Sequence, residues 1–338
     1  MKISLITPSK KTDALAPVII EGLYDLGIEI IASDPGNGVR PQDVKNDEDF
    51  ISHAKDSDFI FVLWGKGPDS RWPRSGTSRD PKYYLLDLIN EPEKTAYIDG
   101  SEWTSTGHPE TYEIISFPLL PKVNLPRQIV EAKFDTSRCR GEPWINKEMF
   151  EKCRWYFKRE CYPQDLESGI IPLNIACQKK FFGEIDTPKE TDIVCSFGQI
   201  YTGLRIEVQN ICEKLQSEGF KVKFIKGLGH QDYLRELSSS HISVSAWGAG
   251  NSCMRMWESM ANKTCCFAQK TEILFPNKPL DGRHYVEYST PKEFEIKVRE
   301  YLKNKEKCVQ VGRNGYDFVK DSHTGISRVK YIFNIIKT

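Results

Sequence analysis

Two groups of polar residues in this chain have the types and spacing to do chemistry. The first is Arg255-Met256-Trp257-Glu258, an arginine and a glutamate three apart, shortly after Gly248-Ala249-Gly250. On a helix that spacing puts both side chains on one face, with Asn262 one turn further along. Such a pair can be a local ion pair on a solvated face. It can also be part of a ligand site. Two glycines so close together permit near approach of backbone to a ligand. Asn251 or Ser252 is expected to cap the helix, and a helix N-terminus favours an anion. The second group is Asp99 and Glu102, with His108 close behind. Carboxylates and an imidazole just past a strand are candidates for a general base. Asp99-Gly100 reads equally as a turn, and His108 beside Pro109 equally as a loop residue.

The elements that must position these groups follow from periodicity. Ile242, Val244 and Ala246 alternate with Ser243 and Ser245, a strand pattern, and Thr264 to Phe267 reads as the next buried strand. Between them Met254, Trp257 and Ala261 should turn a helix face to the core. The unit is a strand, a glycine loop, a helix and a parallel strand, and ligands of open α/β sheets bind at the carboxyl edge of such strands. Strands are expected at Lys2 to Thr7, Ile28 to Ala32, Asp58 to Trp64 and Lys94 to Ile98, with helices between them. Alternation of this kind argues a doubly wound parallel sheet. Met149 to Phe157 has helical spacing, and Arg283 to Tyr288 reads as a final strand. Cys177 to Thr191, rich in Lys, Glu, Gly, Pro and Asp, is the expected boundary between a domain of residues 1–177 and one of 192–338.

The second half resembles the C-terminal domain of GT-B glycosyltransferases, specifically the group 1, spore-maturation-protein-like branch. The resemblance rests on Gly248-Ala249-Gly250, on Arg255-Met256-Trp257-Glu258 and on Thr264-Cys265-Cys266-Phe267. It extends over roughly residues 190–335, and Tyr156 to Glu160 is similar to a motif that precedes the domain junction in the same family. The resemblance implies an α/β GT-B fold: two Rossmann-like doubly wound domains facing across a cleft, with the last helix packing back on the first. It implies a nucleoside-diphosphate sugar as donor and a glycan or other hydroxyl compound as acceptor. Glu258 would hold the ribose hydroxyls. Gly198, Arg205, Arg255 and the backbone of Gly248, Gly250, Asn251 and Ser252 would lie along the diphosphate, with His230 near the base. Many retaining members carry a second glutamate eight positions before this one; Gly250 stands there, which leaves retention or inversion open. Asp99, Glu102 and His108 would serve as the base of an inverting enzyme, or bind acceptor in a retaining one.

Composition bounds the alternatives. Lys+Arg and Asp+Glu are both 47 in 338 residues, so no global attraction to nucleic acid or membrane is implied. A DNA-base glucosyltransferase would need a local edge, for which Lys66, Arg71, Arg74 and Arg79 are available. A sugar-nucleotide epimerase and a non-catalytic GT-B-like binding protein share the architecture. The N-terminus lacks the apolar core of a signal peptide and no apolar run is long enough to span a bilayer. With ten scattered cysteines and no C-x-x-C pair, a cytoplasmic protein with reduced thiols is expected, without a metal or tightly bound cofactor.

Overall fold

A computed structural model describes residues 1–8, 14–34, 38–39, 44–63, 82–100, 146–183, 187–197, 203–247 and 251–338. In chain order the first part contains β1 (Lys2–Ile6), α1 (Leu15–Asp25), β2 (Glu29–Ala32), α2 (Asp47–Lys55), β3 (Phe59–Leu63), α3 (Leu85–Ile89), β4 (Thr95–Asp99), α4 (Lys147–Lys152), β5 (Trp155–Lys158) and β6 (Ile170–Pro172). Its six strands pair in parallel in the order β2-β1-β3-β4-β5-β6. Parallel strands are covered on both faces, which is why β1, β3 and β4 are buried almost throughout.

The second part contains β7 (Thr191–Cys195), α5 (Gly203–Ser217), β8 (Val222–Phe224), α6 (His230–Ser238), β9 (Ser240–Ser245), α7 (Met254–Ala261), β10 (Cys265–Gln269), β11 (Val286–Tyr288), α8 (Pro291–Lys303), α9 (Lys305–Ser322) and α10 (Gly325–Ile336). Its five strands are also parallel, in the order β11-β10-β9-β7-β8. The doubly wound α/β architecture read from the sequence is therefore present twice.

Two local readings are corrected. The helix expected over 149–157 ends at Lys152, and Trp155 to Lys158 form β5 instead. Lys-Glu-Met-Phe-Glu-Lys is a good helix former, whereas Trp155-Tyr156-Phe157 prefers a pleated surface and is claimed by pairing with β4. The strand expected from Arg283 begins only at Val286, because Gly282 (φ 70°) opens a turn whose N–H bonds the Tyr285 carbonyl at 2.8 Å.

Helix α10 packs on α1 at a crossing made by two glycines. A Cβ on Gly22 would fall 2.1 Å from the Gly325 carbonyl oxygen, and one on Gly325 would fall 2.5 Å from that of Val18. One apolar cluster runs from Leu5 and Phe61 through Val329 and Phe333 on α10 to Trp257 and Met260 on α7, so both sheets share core. Arg328, fully buried, pins this junction. Its Nε donates to the Asn174 carbonyl at 2.7 Å, Nη2 to that of Ile175 at 3.2 Å and Nη1 to that of Ser322 at 3.2 Å. Burial presses its pKa down to about 9, which leaves it charged at neutral pH. Among the described residues, no helix is long and apolar enough to cross a membrane.

Candidate functional site

The site is assembled around the turn from β9 into α7. Gly248 and Gly250 lie outside the described residues; the chain resumes at Asn251. The helix cap is Cys253, in an extended conformation and with no side-chain cap bond, rather than Asn251 or Ser252. Asn251 is committed elsewhere, its Nδ2 donating to the Tyr162 hydroxyl at 2.6 Å. The Ser252 hydroxyl is buried and has no hydrogen-bond partner among the described residues. Trp257, two positions beyond Arg255, anchors α7 by stacking on His323 with centroids 4.1 Å apart.

Glu258 is 9% exposed, and its Oε2 accepts the Tyr233 hydroxyl proton at 2.6 Å. Burial raises its pKa above the ordinary glutamate value, while the Tyr233 hydroxyl, Arg255, His230 and Lys180 pull it back. The Tyr233 phenol is pushed far above its usual range, by burial first and then by the Glu258 charge. The glutamate is thus shielded from bulk water, with one hydroxyl already in place. His230 opens α6, its Nε2 hydrogen-bonded with the Lys180 carbonyl at 2.7 Å and its ring edge-on to Phe181 at 5.2 Å. Asn262 ties the same wall together, its Nδ2 donating to the carbonyls of Phe181 at 2.8 Å and Glu258 at 2.7 Å.

Two guanidiniums meet over the ring of Phe197, just past β7. Arg205, near the start of α5, lies 5.3 Å from the centre of the Phe197 ring and donates through Nη2 to the Ala246 carbonyl at 2.9 Å. Arg255 lies 5.4 Å from the same ring, with its Nη1 3.6 Å from Cys253 Sγ. Its Nε is sealed from solvent with no hydrogen bond, and no carboxylate stands within ion-pair distance of it among the described residues. Burial works against its charge, but Cys253, Tyr233 and Glu258 hold its pKa above the usual arginine value. Gly198, beside Phe197, is outside the described residues. Arg205 thus shares an aromatic ring with Arg255. Neither Phe197 nor Tyr233 was given a role at the site from the sequence. Their signal was modest: one aromatic at the end of each of two elements leading to the same edge.

On the first domain, Asp99 ends β4 at 1% exposure, its Oδ2 accepting the Tyr156 hydroxyl proton at 2.6 Å. Glu102 and His108 lie outside the described residues, as do Lys66, Arg71, Arg74 and Arg79. The first domain also sends Glu160 into the turn before α7. Its Oε2 accepts the Asn251 N–H and its Oε1 the Ser252 N–H, each at 2.9 Å. The backbone of Asn251 and Ser252, expected to face a ligand, is held by this carboxylate. Among the described residues no group of three His, Cys, Asp or Glu is placed to hold a metal ion.

Residues 197–334 match a protein family described as glycosyl transferase-like. The second domain is therefore a glycosyltransferase family domain. No curated protein sequence matches the chain significantly. Solved structures share the fold over the full length. The Anabaena protein HepE in complex with UDP-glucose is 9% identical with a TM-score of 0.53, covering 100% of this chain and 99% of its own. An alpha-glucosyltransferase in complex with UDP-glucose and DNA containing an abasic site is 11% identical with a TM-score of 0.57, covering 100% of both chains. Sucrose-phosphate synthase from Thermosynechococcus elongatus is 12% identical with a TM-score of 0.51, covering 100% of this chain and 98% of its own. At such identities the likeness is one of fold, and the fold is GT-B.

Proposed function

We propose that the protein transfers a sugar from a nucleoside-diphosphate sugar, with UDP as the first candidate nucleotide, to an acceptor hydroxyl. The observation that carries this reading is the Arg255 guanidinium, with a sealed Nε that has no hydrogen bond among the described residues, three residues before a shielded Glu258. A buried donor without a partner is unfavourable in the free protein and is relieved by an anionic ligand. UDP or UDP-glucose in the solved relatives HepE and the alpha-glucosyltransferase supports the choice of nucleotide.

In this reading the Glu258 carboxylate accepts hydrogen bonds from the ribose hydroxyls, with Tyr233 fixing its rotamer. Arg205 and Arg255 face the diphosphate, with Gly198, Gly248 and Gly250 giving close backbone approach. Asn251 and Ser252 shape the turn beneath it, and His230 borders the base. Breaking the bond between sugar and phosphate places negative charge on the departing diphosphate, and two arginines fixed over Phe197 meet that charge without reorganising. No tightly bound metal or cofactor is required for this step. On the acceptor side Asp99, Glu102 and His108 remain the proposed base or acceptor ligands, with Asp99 hydrogen-bonded to Tyr156. The Arg-x-x-Glu helix and the Tyr156 to Glu160 segment support the spore-maturation-protein-like branch, and the cysteine usage supports a cytoplasmic setting.

The test is release of UDP from UDP-glucose and related UDP-sugars. Wild type is expected to release nucleotide slowly to water and faster with a hydroxyl acceptor. Glu258→Ala should lower the rate by about tenfold or more, the loss of hydrogen bonds to a charged group. Equal release by both proteins would remove Glu258 from the donor site.

A further inference from the structure

The run Arg159-Glu160-Cys161-Tyr162, at the exit of β5, has no role in the reaction described so far. Its side chains do not pack on their own domain alone. Glu160, with 0% exposure, receives both the Asn251 and Ser252 N–H groups. Arg159 Nη2 donates to the Ser252 carbonyl at 2.6 Å, so both polar groups of the Ser252 backbone are held by adjacent side chains of the other domain. Arg159 Nε lies 3.6 Å from Glu160 Oε1, which balances charge inside the junction. The Tyr162 hydroxyl takes the Asn251 side chain, and the Cys161 carbonyl accepts the Leu274 N–H at 2.7 Å. A buried carboxylate is tolerated only when paired and hydrogen-bonded, and this one is both. It also sits where the dipole of α7 favours negative charge.

The turn held in this way feeds directly into the helix that bears Arg255 and Glu258, three and six residues after Ser252. We propose that Glu160 is a positioning residue: through it the first domain fixes the start of α7, so nucleotide affinity depends on a side chain that touches no part of the nucleotide. The inference rests on the donor-site reading above. It predicts that a residue of the first sheet, ninety-one positions from its partner Asn251, controls binding in the second.

The experiment is calorimetric titration of UDP into the full-length wild type, Glu160→Gln and Glu160→Asp, with melting temperature measured alongside. Glutamine keeps the shape but turns an amide donor toward two N–H donors; aspartate keeps both acceptor oxygens on a shorter stem. Glu160→Gln is expected to weaken UDP binding by about tenfold or more, with Glu160→Asp the milder change. The reverse order would mean that Glu160 only fills space, and would overturn the proposal. Tighter binding by Glu160→Gln would overturn it too, since the carboxylate would then be occupying the seat of a phosphate. If Glu160→Gln does not fold, Tyr162→Phe reads the same coupling, with a loss of about threefold expected and no loss contradicting the proposal. Wild type that binds no nucleoside diphosphate ends the donor-site reading and this inference together. Equal binding by wild type and Glu160→Gln ends this inference alone.

Discussion

Arg328 and Arg255 both lie near the N-terminal ends of their helices, where the helix dipole disfavours a positive charge. Each therefore needs a reason to be there. Arg328 has one in full view: three backbone carbonyls of the crossover between domains take its donors. Arg255 has an aromatic ring, a thiol and a nearby carboxylate, but an Nε with no acceptor among the described residues. Satisfied donors mark a residue that holds the fold together. An open Nε three residues before a shielded carboxylate is instead compatible with a residue that meets a ligand, as proposed above.

The comparison can be broken first at its structural end. Arg328→Met should destabilise the protein by about 3–5 kcal/mol in chemical denaturation, because two buried carbonyls and a part-buried one lose their donor at once. A loss within about 1 kcal/mol would mean that the crossover carbonyls find other partners, and the contrast would lose its basis. A smaller effect sharpens the functional end. The Glu258 pKa is raised by burial, so its carboxylate gains a proton at a higher pH than an ordinary glutamate. A protonated carboxyl loses acceptor capacity for ribose hydroxyls, so UDP affinity should fall severalfold as pH drops from about 7.5 to about 5. Titration of the UDP phosphate is common to all variants, so the part belonging to Glu258 is the part missing in Glu258→Gln. An identical pH profile for the two proteins would contradict the assignment.

The difference between the two arginines also explains what was legible in the sequence. Arg255 and Glu258 stand out because their spacing is local: a glycine turn, a helix face and a following strand lie within some twenty residues. The succession of most strands along the chain was readable for the same reason, since apolar runs and turn residues are local signals. Arg328 and the Gly22–Gly325 crossing were not readable. Their partners lie far away in the chain, and a glycine in a helix has no pattern that announces the backbone pressed against it. Glu160 is the intermediate case. Lys158-Arg159-Glu160 was visible as a motif, but what it grips, the Asn251–Ser252 backbone, has no side-chain signature. The helix misread over Met149 to Phe157 failed differently: its aromatic residues fit either period, and pairing with β4 decided.

The central claim is that Arg255 is kept for a nucleoside diphosphate. The most direct measurement is calorimetric titration of UDP into wild type and Arg255→Met, with melting temperatures recorded for both. Methionine keeps the length and apolar contact of the side chain while removing the charge. The account predicts a melting temperature within about 3 °C of wild type, because the one acceptor lost among the described residues is the weak Cys253 thiol, and a loss of UDP affinity of about tenfold or more. Wild-type affinity in Arg255→Met, or a melting temperature lowered as far as that of Arg328→Met, would show that both arginines serve the fold and that the diphosphate site lies elsewhere.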